Sequence, residues 1–84
     1  MSHARDVAET VTRALVDRPD EVRVTEIEHR DAAVIEVFVA GDDLGRVIGR
    51  QGRTATAIRT LVTATAERDG RRVSVEFRDE HGQR

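Results

Sequence analysis

The sequence predicts a two-layer α+β domain in the order α-β-β-α-α-β, with a three-stranded mixed sheet and its helices on one face. Three observations predict it. Residues 33–40 form a near-continuous apolar run that reads as a strand covered on both edges, hence central. Residues 71–77 alternate, with Val73, Val75 and Phe77 on one face and Arg72, Ser74 and Glu76 on the other. Between these strands lie two helical stretches. A right-handed crossover through them makes the two strands parallel and stacks the helices on one side.

The elements follow in chain order. Residues 3–17 read as an amphipathic helix with Ser2 as a candidate N-cap and Val7, Val11, Ala14 and Leu15 on one face. Pro19 ends it, because the residue before a proline is pushed out of the α region. Residues 22–29 read as a strand. Val22 and Val24 share a face and Ile27 falls on the other, so either a bulge shifts the register or Ile27 is partly exposed. Arg30-Asp31 is a polar tip. In the next strand, 33–40, Ala33, Ile35, Val37 and Val39 line one face and Val34, Glu36, Phe38 and Ala40 the other.

Gly41 breaks that strand, and Asp42 or Asp43 is positioned to cap a short helix over 43–48. A long helix covers about 53–68, with Ala55, Ile58, Leu61, Val62 and Thr65 inward and Thr56, Thr60, Thr63 and Glu67 away. Asp69-Gly70 is a turn into the last strand. The chain reads as one domain with a core over about 5–77 and a polar, frayed tail at 78–84.

Eighty-four residues without a cysteine hold neither a disulfide nor a Cys-based zinc site. His3, His29 and His81 lack ligand spacing and read as surface residues, so no metal or cofactor is expected. The longest apolar run is four residues, too short to span a membrane. No charged-then-apolar leader opens the chain, so a cytoplasmic protein is expected. All fourteen basic residues are arginine, and they are unevenly placed. Residues 1–43 carry five arginines against eleven acids, a balance of −6. Residues 44–72 carry seven against Glu67 and Asp69, a balance of +5. One basic face suffices for a nucleic-acid protein of overall charge −2. An ordinary solvated helix bearing arginines would show the same balance.

The positive third contains Gly49-Arg50-Gln51-Gly52. Two glycines three apart flank a two-residue tip that turns sharply beside a helix N-terminus and exposes peptide N–H groups, a geometry suited to phosphate. A Walker A loop is excluded, since position 47 is Val and Arg53 stands where Lys is needed. A dinucleotide fingerprint is excluded by the same valine. What remains is the helix–GxxG–helix of a KH domain, which clamps about four nucleotides of backbone, or a plain helix–turn–helix corner. Val47-Ile48 before the turn and Ile58 after it favour the KH reading.

The order of elements and the stretch VIGRQGRTATAIRTL resemble the type II KH fold. The chain is similar over about 5–77 to the small bacterial single-KH-domain proteins of the KhpA type. The resemblance carries over to Val47, Ile48, Gly49, Arg50, Gln51, Gly52 and Ile58. Many KH domains have Lys where Arg50 stands and isoleucine where Ala55 stands; the alanine shortens the groove wall. The resemblance implies an RNA-binding protein, an RNA chaperone or regulator. It also implies self-association or pairing with a KhpB-like protein, a pair tied in some bacteria to cell elongation and envelope regulation.

On the residues alone, the turn N–H groups and Arg50 hold phosphates of single-stranded RNA, and Arg46 and Arg53 add charge. Arg71 and Arg72 flank the groove where the last strand begins. Val47, Ile48 and Ile58 either floor the bases or pack in the core. With two Phe and no Tyr or Trp, base stacking is not the main mode. No catalytic constellation is present: no Cys, no paired histidines, no nucleophile elbow. The competing class is a protein-interaction module on the same fold, favoured if acids screen Arg50 and Arg53. A short chain without staples favours a dimer. Two surfaces are candidates: the uncovered face of Val34, Phe38 and Ala40, and the threonine side of the long helix at Thr56, Thr60 and Thr63.

Overall fold

The structure, a computed structural model, describes residues 2–80. Helix α1 spans His3–Leu15. Ser2 caps it, its Oγ accepting from the Arg5 N–H at 3.1 Å, which satisfies one of the unpaired donors of a helix start. The helix is two residues shorter than expected. Val16 is already extended (φ −96, ψ 162), and Pro19 holds Arg18 outside the α region (φ −121, ψ 71). Its buried face also differs from the expected one. Ala4, Ala8 and Thr12 point inward, Val7 and Val11 pack on the rim, and Ala14 and Leu15 are exposed. The sheet supplies the bulky side chains, so α1 approaches it with small ones.

Strands β1 (Arg23–Glu28) and β2 (Ala33–Val39) pair antiparallel, and β2 pairs parallel with β3 (Val73–Asp79). The order is β1-β2-β3, with β2 central as the apolar run requires. The β1–β2 register runs unbroken from Arg23↔Phe38 to Glu28↔Ala33. No bulge rescues Ile27, which is 43% exposed. Strand β3 is displaced two residues from the expected 71–77. Arg78 and Asp79 pair with Phe38 and Val39 and so belong to the sheet, not to a frayed tail. The rest of that expected tail after Glu80, His81 included, lies outside the described residues. His3 and His29 are exposed.

The inner sheet face, Val24, Ile35, Val37, Val39, Val75 and Phe77, meets Ala55, Ile58, Val62 and Ala66 of α3 (Arg53–Arg68). Leu61 and Thr65 were expected in this stripe. Leu61 is 48% exposed and Thr65 half-buried, while Ala66 turns inward, so the C-terminal end of α3 meets the sheet through a small residue. The outer sheet face is not the bare apolar surface expected. Ala40 is fully buried. The Arg23 guanidinium lies 4.6 Å from the Phe38 ring centroid. Glu36 pairs with Arg78 at 3.3 Å and accepts from Thr25 Oγ1. Charged side chains therefore lie at Phe38 and Glu36 on that face, and Val34 is half-buried.

After β2, a 3-10 turn (Gly41–Asp43) leads into α2 (Leu44–Ile48). Neither Asp42 nor Asp43 caps α2 through its side chain. Asp43 is instead buried and reaches back to the α1–β1 connection, accepting from the Asp17 and Arg18 N–H groups at 3.0 Å each. Gly70, at φ +70, closes the turn after α3. Among the described residues no helix is long and apolar enough to cross a membrane, and no group of acidic and histidine side chains could hold a metal.

Candidate nucleic-acid interface

The corner between α2 and α3 is a tight turn with a backbone that sequence chemistry explains residue by residue. Gly49 adopts φ +75, ψ 174, a region essentially reserved for glycine. A Cβ on it would lie 2.2 Å from Thr54 Oγ1 and 2.7 Å from Thr54 Cβ. Close approach to the first turn of α3 thus requires glycine independently of φ. Gln51 (φ 57, ψ 26) and Gly52 (φ 73, ψ 13) are both left-handed. The turn closes through Gly52 N–H to Gly49 O at 3.1 Å and Arg53 N–H to Arg50 O. Those bonds leave the N–H groups of Arg50 and Gln51, at the tip, outside the turn's own pairing. Successive amides in such a turn beside a helix start form an anion-binding concavity.

The side chains expected to act here divide into three groups. Arg50, Gln51 and Arg53 are exposed, Gly49, Gly52 and Ile48 half-buried. Neither Arg50 nor Arg53 forms an ion pair among the described residues; Asp69, a candidate screen, meets His3 instead at 3.0 Å. The second group is buried. Val47 is fully buried and Ile58 is 3% exposed, both inside the core, so of the three candidates for an apolar floor only Ile48 has surface to offer.

The third group consists of arginines engaged or placed elsewhere. Arg46 contacts Asp17 at 2.8 Å and Asp43 at 3.3 Å. Arg71 contacts Glu28 at 2.6 Å and Glu26 at 2.9 Å. The Glu28 side-chain hydrogen bond, opposed by some desolvation, raises the Arg71 pKa above its ordinary value. Arg72 is exposed beside Asp31 and Gly70. Both Arg71 and Arg72 follow the C-terminus of α3, whose sixteen residues span about 24 Å. The fold places them at the end of the helix opposite the turn.

One arginine escaped the sequence reading. Arg59, on the flank of α3 that faces β3, donates from Nε to the Val75 carbonyl at 3.1 Å. Its guanidinium carbon lies 5.2 Å from the Phe77 ring centroid. The signal was present in the helical stripe: position 59 borders the buried line of Ala55, Ile58 and Val62. Only the packing of α3 against β3 reveals that this border touches the edge strand.

Residues 5–77 match the family described as KhpA/KhpB, KH domain. The chain is 51% identical over 72 residues to an RNA-binding protein KhpA from Caldanaerobacter subterraneus subsp. tengcongensis, spanning 86% of this chain and 96% of that relative. It is 56% identical over 70 residues to the RNA-binding protein KhpA of Leifsonia xyli subsp. xyli, spanning 83% of this chain and 90% of the relative. For the Mycobacterium bovis RNA-binding protein KhpA the identity is 52% over 75 residues, spanning 89% and 92%. Among solved structures, Era in complex with MgGDPNP and nucleotides 1506–1542 of 16S ribosomal RNA shares the fold. The TM-score is 0.66 at 20% identity, over 90% of this chain and 29% of that one.

Proposed function

The chain belongs to the KhpA/KhpB family of KH domains, a family of RNA-binding domains rather than of enzymes, and from that premise we propose that it binds single-stranded RNA by clamping the backbone at the 49–52 turn. The observation that carries this reading is the pairing state of the arginines. Asp17, Asp43, Glu26 and Glu28 engage Arg46 and Arg71, while Arg50 and Arg53 stay exposed beside the turn amides and form no ion pair among the described residues. The turn amides and Arg50 hold phosphates, Arg53 adds charge, and Ile48 offers apolar surface to a base. Arg46 contributes once its carboxylate partners yield to a phosphate.

In this reading the whole chain acts as one KH domain, cytoplasmic, serving as an RNA chaperone or regulator. It works as a homodimer or with a KhpB-like partner, in cell elongation or envelope regulation. Leu61, 48% exposed beside exposed Ala57 and Ala64 on the outer side of α3, supports an interface on the Thr56–Thr60 side of that helix rather than on the charged sheet face. Sedimentation at micromolar concentration tests the association, and a stable monomer that binds RNA unaided refutes it.

The clamp itself is tested with Arg50→Asp combined with Gln51→Asp. Two carboxylates then face the phosphates, so like-charge repulsion adds to lost donors. The tip is exposed, so stability changes by only about 0.5 kcal/mol. Mobility shifts on a short single strand should lose the complex while circular dichroism stays native. Three to four phosphate contacts give the wild type a log–log salt slope of about −2 to −3 on single strands. A blunt duplex of equal length should bind more weakly because its bases are hidden. Unchanged affinity in the folded double variant refutes the clamp.

A further inference from the structure

Strand β3 is an edge strand: β2 occupies one side and the other is open. An open edge leaves carbonyls to be satisfied by other groups. Arg59 satisfies one, through Nε to Val75 O at 3.1 Å, and lies over Phe77, which is itself 2% exposed. Two contacts therefore fix a long side chain that would otherwise rotate freely. The Nε donor is engaged, and the terminal amino groups Nη1 and Nη2 remain. Arg59 is half-buried and forms no ion pair among the described residues, although the chain carries sixteen acidic residues. It follows Arg53 by six residues, about 9 Å along the helix axis. A pre-oriented cation whose terminal amino groups make no hydrogen bond among the described residues thus sits between α3 and β3, about 9 Å along the helix from the turn proposed to hold phosphates.

We infer that Arg59 reads a base edge in the bound strand, its Nη1 and Nη2 groups donating together to two adjacent acceptors. The inference rests on the RNA-binding reading above and gives it a sequence preference. Phosphate contacts at the turn set the register but carry no sequence information; a base-edge contact supplies it. The guanidinium has donors only. Its partner must present two neighbouring acceptors, as cytosine does with O2 and N3 and guanine with O6 and N7. Uracil and adenine place an N–H group beside each accessible acceptor of the corresponding edge, so one guanidinium N–H would face another donor. Bases of single-stranded RNA expose both edges for such contact. Pinning by Val75 and Phe77 reduces the rotamer freedom that binding would otherwise remove.

The test uses the full chain and fluorescence anisotropy with short oligocytidine, oligouridine and oligoadenosine. The wild type should bind oligocytidine at least about fivefold more tightly than oligouridine, the lower end expected of one bidentate contact. Arg59→Lys keeps the charge and the stem but loses the planar pair of donors. It should bring the ratio below about twofold while affinity for oligouridine is retained. Equal wild-type affinity for the two oligomers, or an unchanged preference in Arg59→Lys, overturns the assignment and leaves the backbone clamp standing. No binding of any oligomer overturns both. Should Arg59→Lys not fold, the guanidinium nitrogen resonances of Arg59 in the wild type decide. They should shift on adding oligocytidine and not on adding oligouridine, and any other pattern overturns the assignment.

Discussion

Replacing Gly49 by alanine tests the construction of the 49–52 turn at its tightest point. Two separate penalties arise there. The backbone sits at φ +75, ψ 174, where a side chain is strained by about 1–3 kcal/mol. The new Cβ also meets Thr54 Oγ1 at 2.2 Å and Thr54 Cβ at 2.7 Å, a collision with the first turn of α3 that requires movement and adds about 1–3 kcal/mol. The total expected is about 2–6 kcal/mol, a large part of the stability of a domain this size. Gly52 is the internal control. It is also left-handed (φ +73), but a Cβ on it meets nothing within 4 Å. Gly52→Ala should therefore lose only about 1–2 kcal/mol. Removing the Thr54 side chain separates the two penalties. In a Thr54→Gly background the effect of Gly49→Ala should fall towards the conformational part, about 1–3 kcal/mol, with the residue-54 backbone nitrogen, 3.0 Å from the added Cβ, as the close contact that remains. Urea denaturation followed by circular dichroism measures each step. Equal losses for Gly49→Ala and Gly52→Ala, or no relief in the Thr54→Gly background, would show that the close packing of the turn on α3 is misread.

Three further substitutions probe the scaffold behind the turn. Asp43→Ala leaves the Asp17 and Arg18 N–H groups without their acceptor and should destabilise by about 2–3 kcal/mol in chemical denaturation; a neutral effect would show the link between α2 and the α1–β1 connection to be dispensable. Thr12 is fully buried and its Oγ1 has no partner among the described residues, so Thr12→Val, nearly equal in shape, should stabilise by about 0.5–1 kcal/mol. A hydrogen bond with the Glu80 side chain, then desolvation and the Glu80 charge, raises the Glu21 pKa above its ordinary value. The folded state then holds that proton more tightly than the unfolded chain, so this contribution is present in acid and is lost as pH rises through the raised value. Glu21→Gln donates to Glu80 without a titrating proton. It should melt higher than the wild type at neutral pH, with the advantage vanishing below about pH 4; an advantage independent of pH would refute the shared-proton account.

The sequence by itself determined the fold class, the strand order and the position of the turn. Each depends on local information: the alternation of Ala33, Ile35, Val37 and Val39, the proline after α1, and two glycines beside a helical run. Where local chemistry left a choice, packing made it. Ile27 is exposed because β1 pairs with β2 without a bulge, and strand propensity alone does not fix that register. The inward faces of α1 and α3 were misjudged because a helix pressed closely on a bulky sheet turns its alanines inward, Ala4, Ala8 and Ala66, and leaves Leu15 and Leu61 outside. The candidate site followed the same division. Glycine spacing located the turn, whereas the state of each arginine depended on partners distant in sequence: Asp17 for Arg46, Glu26 and Glu28 for Arg71, Val75 and Phe77 for Arg59. Charge counted along a chain does not distinguish a cation already paired from one left free, because ion pairing is set by distance in space and not by order in sequence.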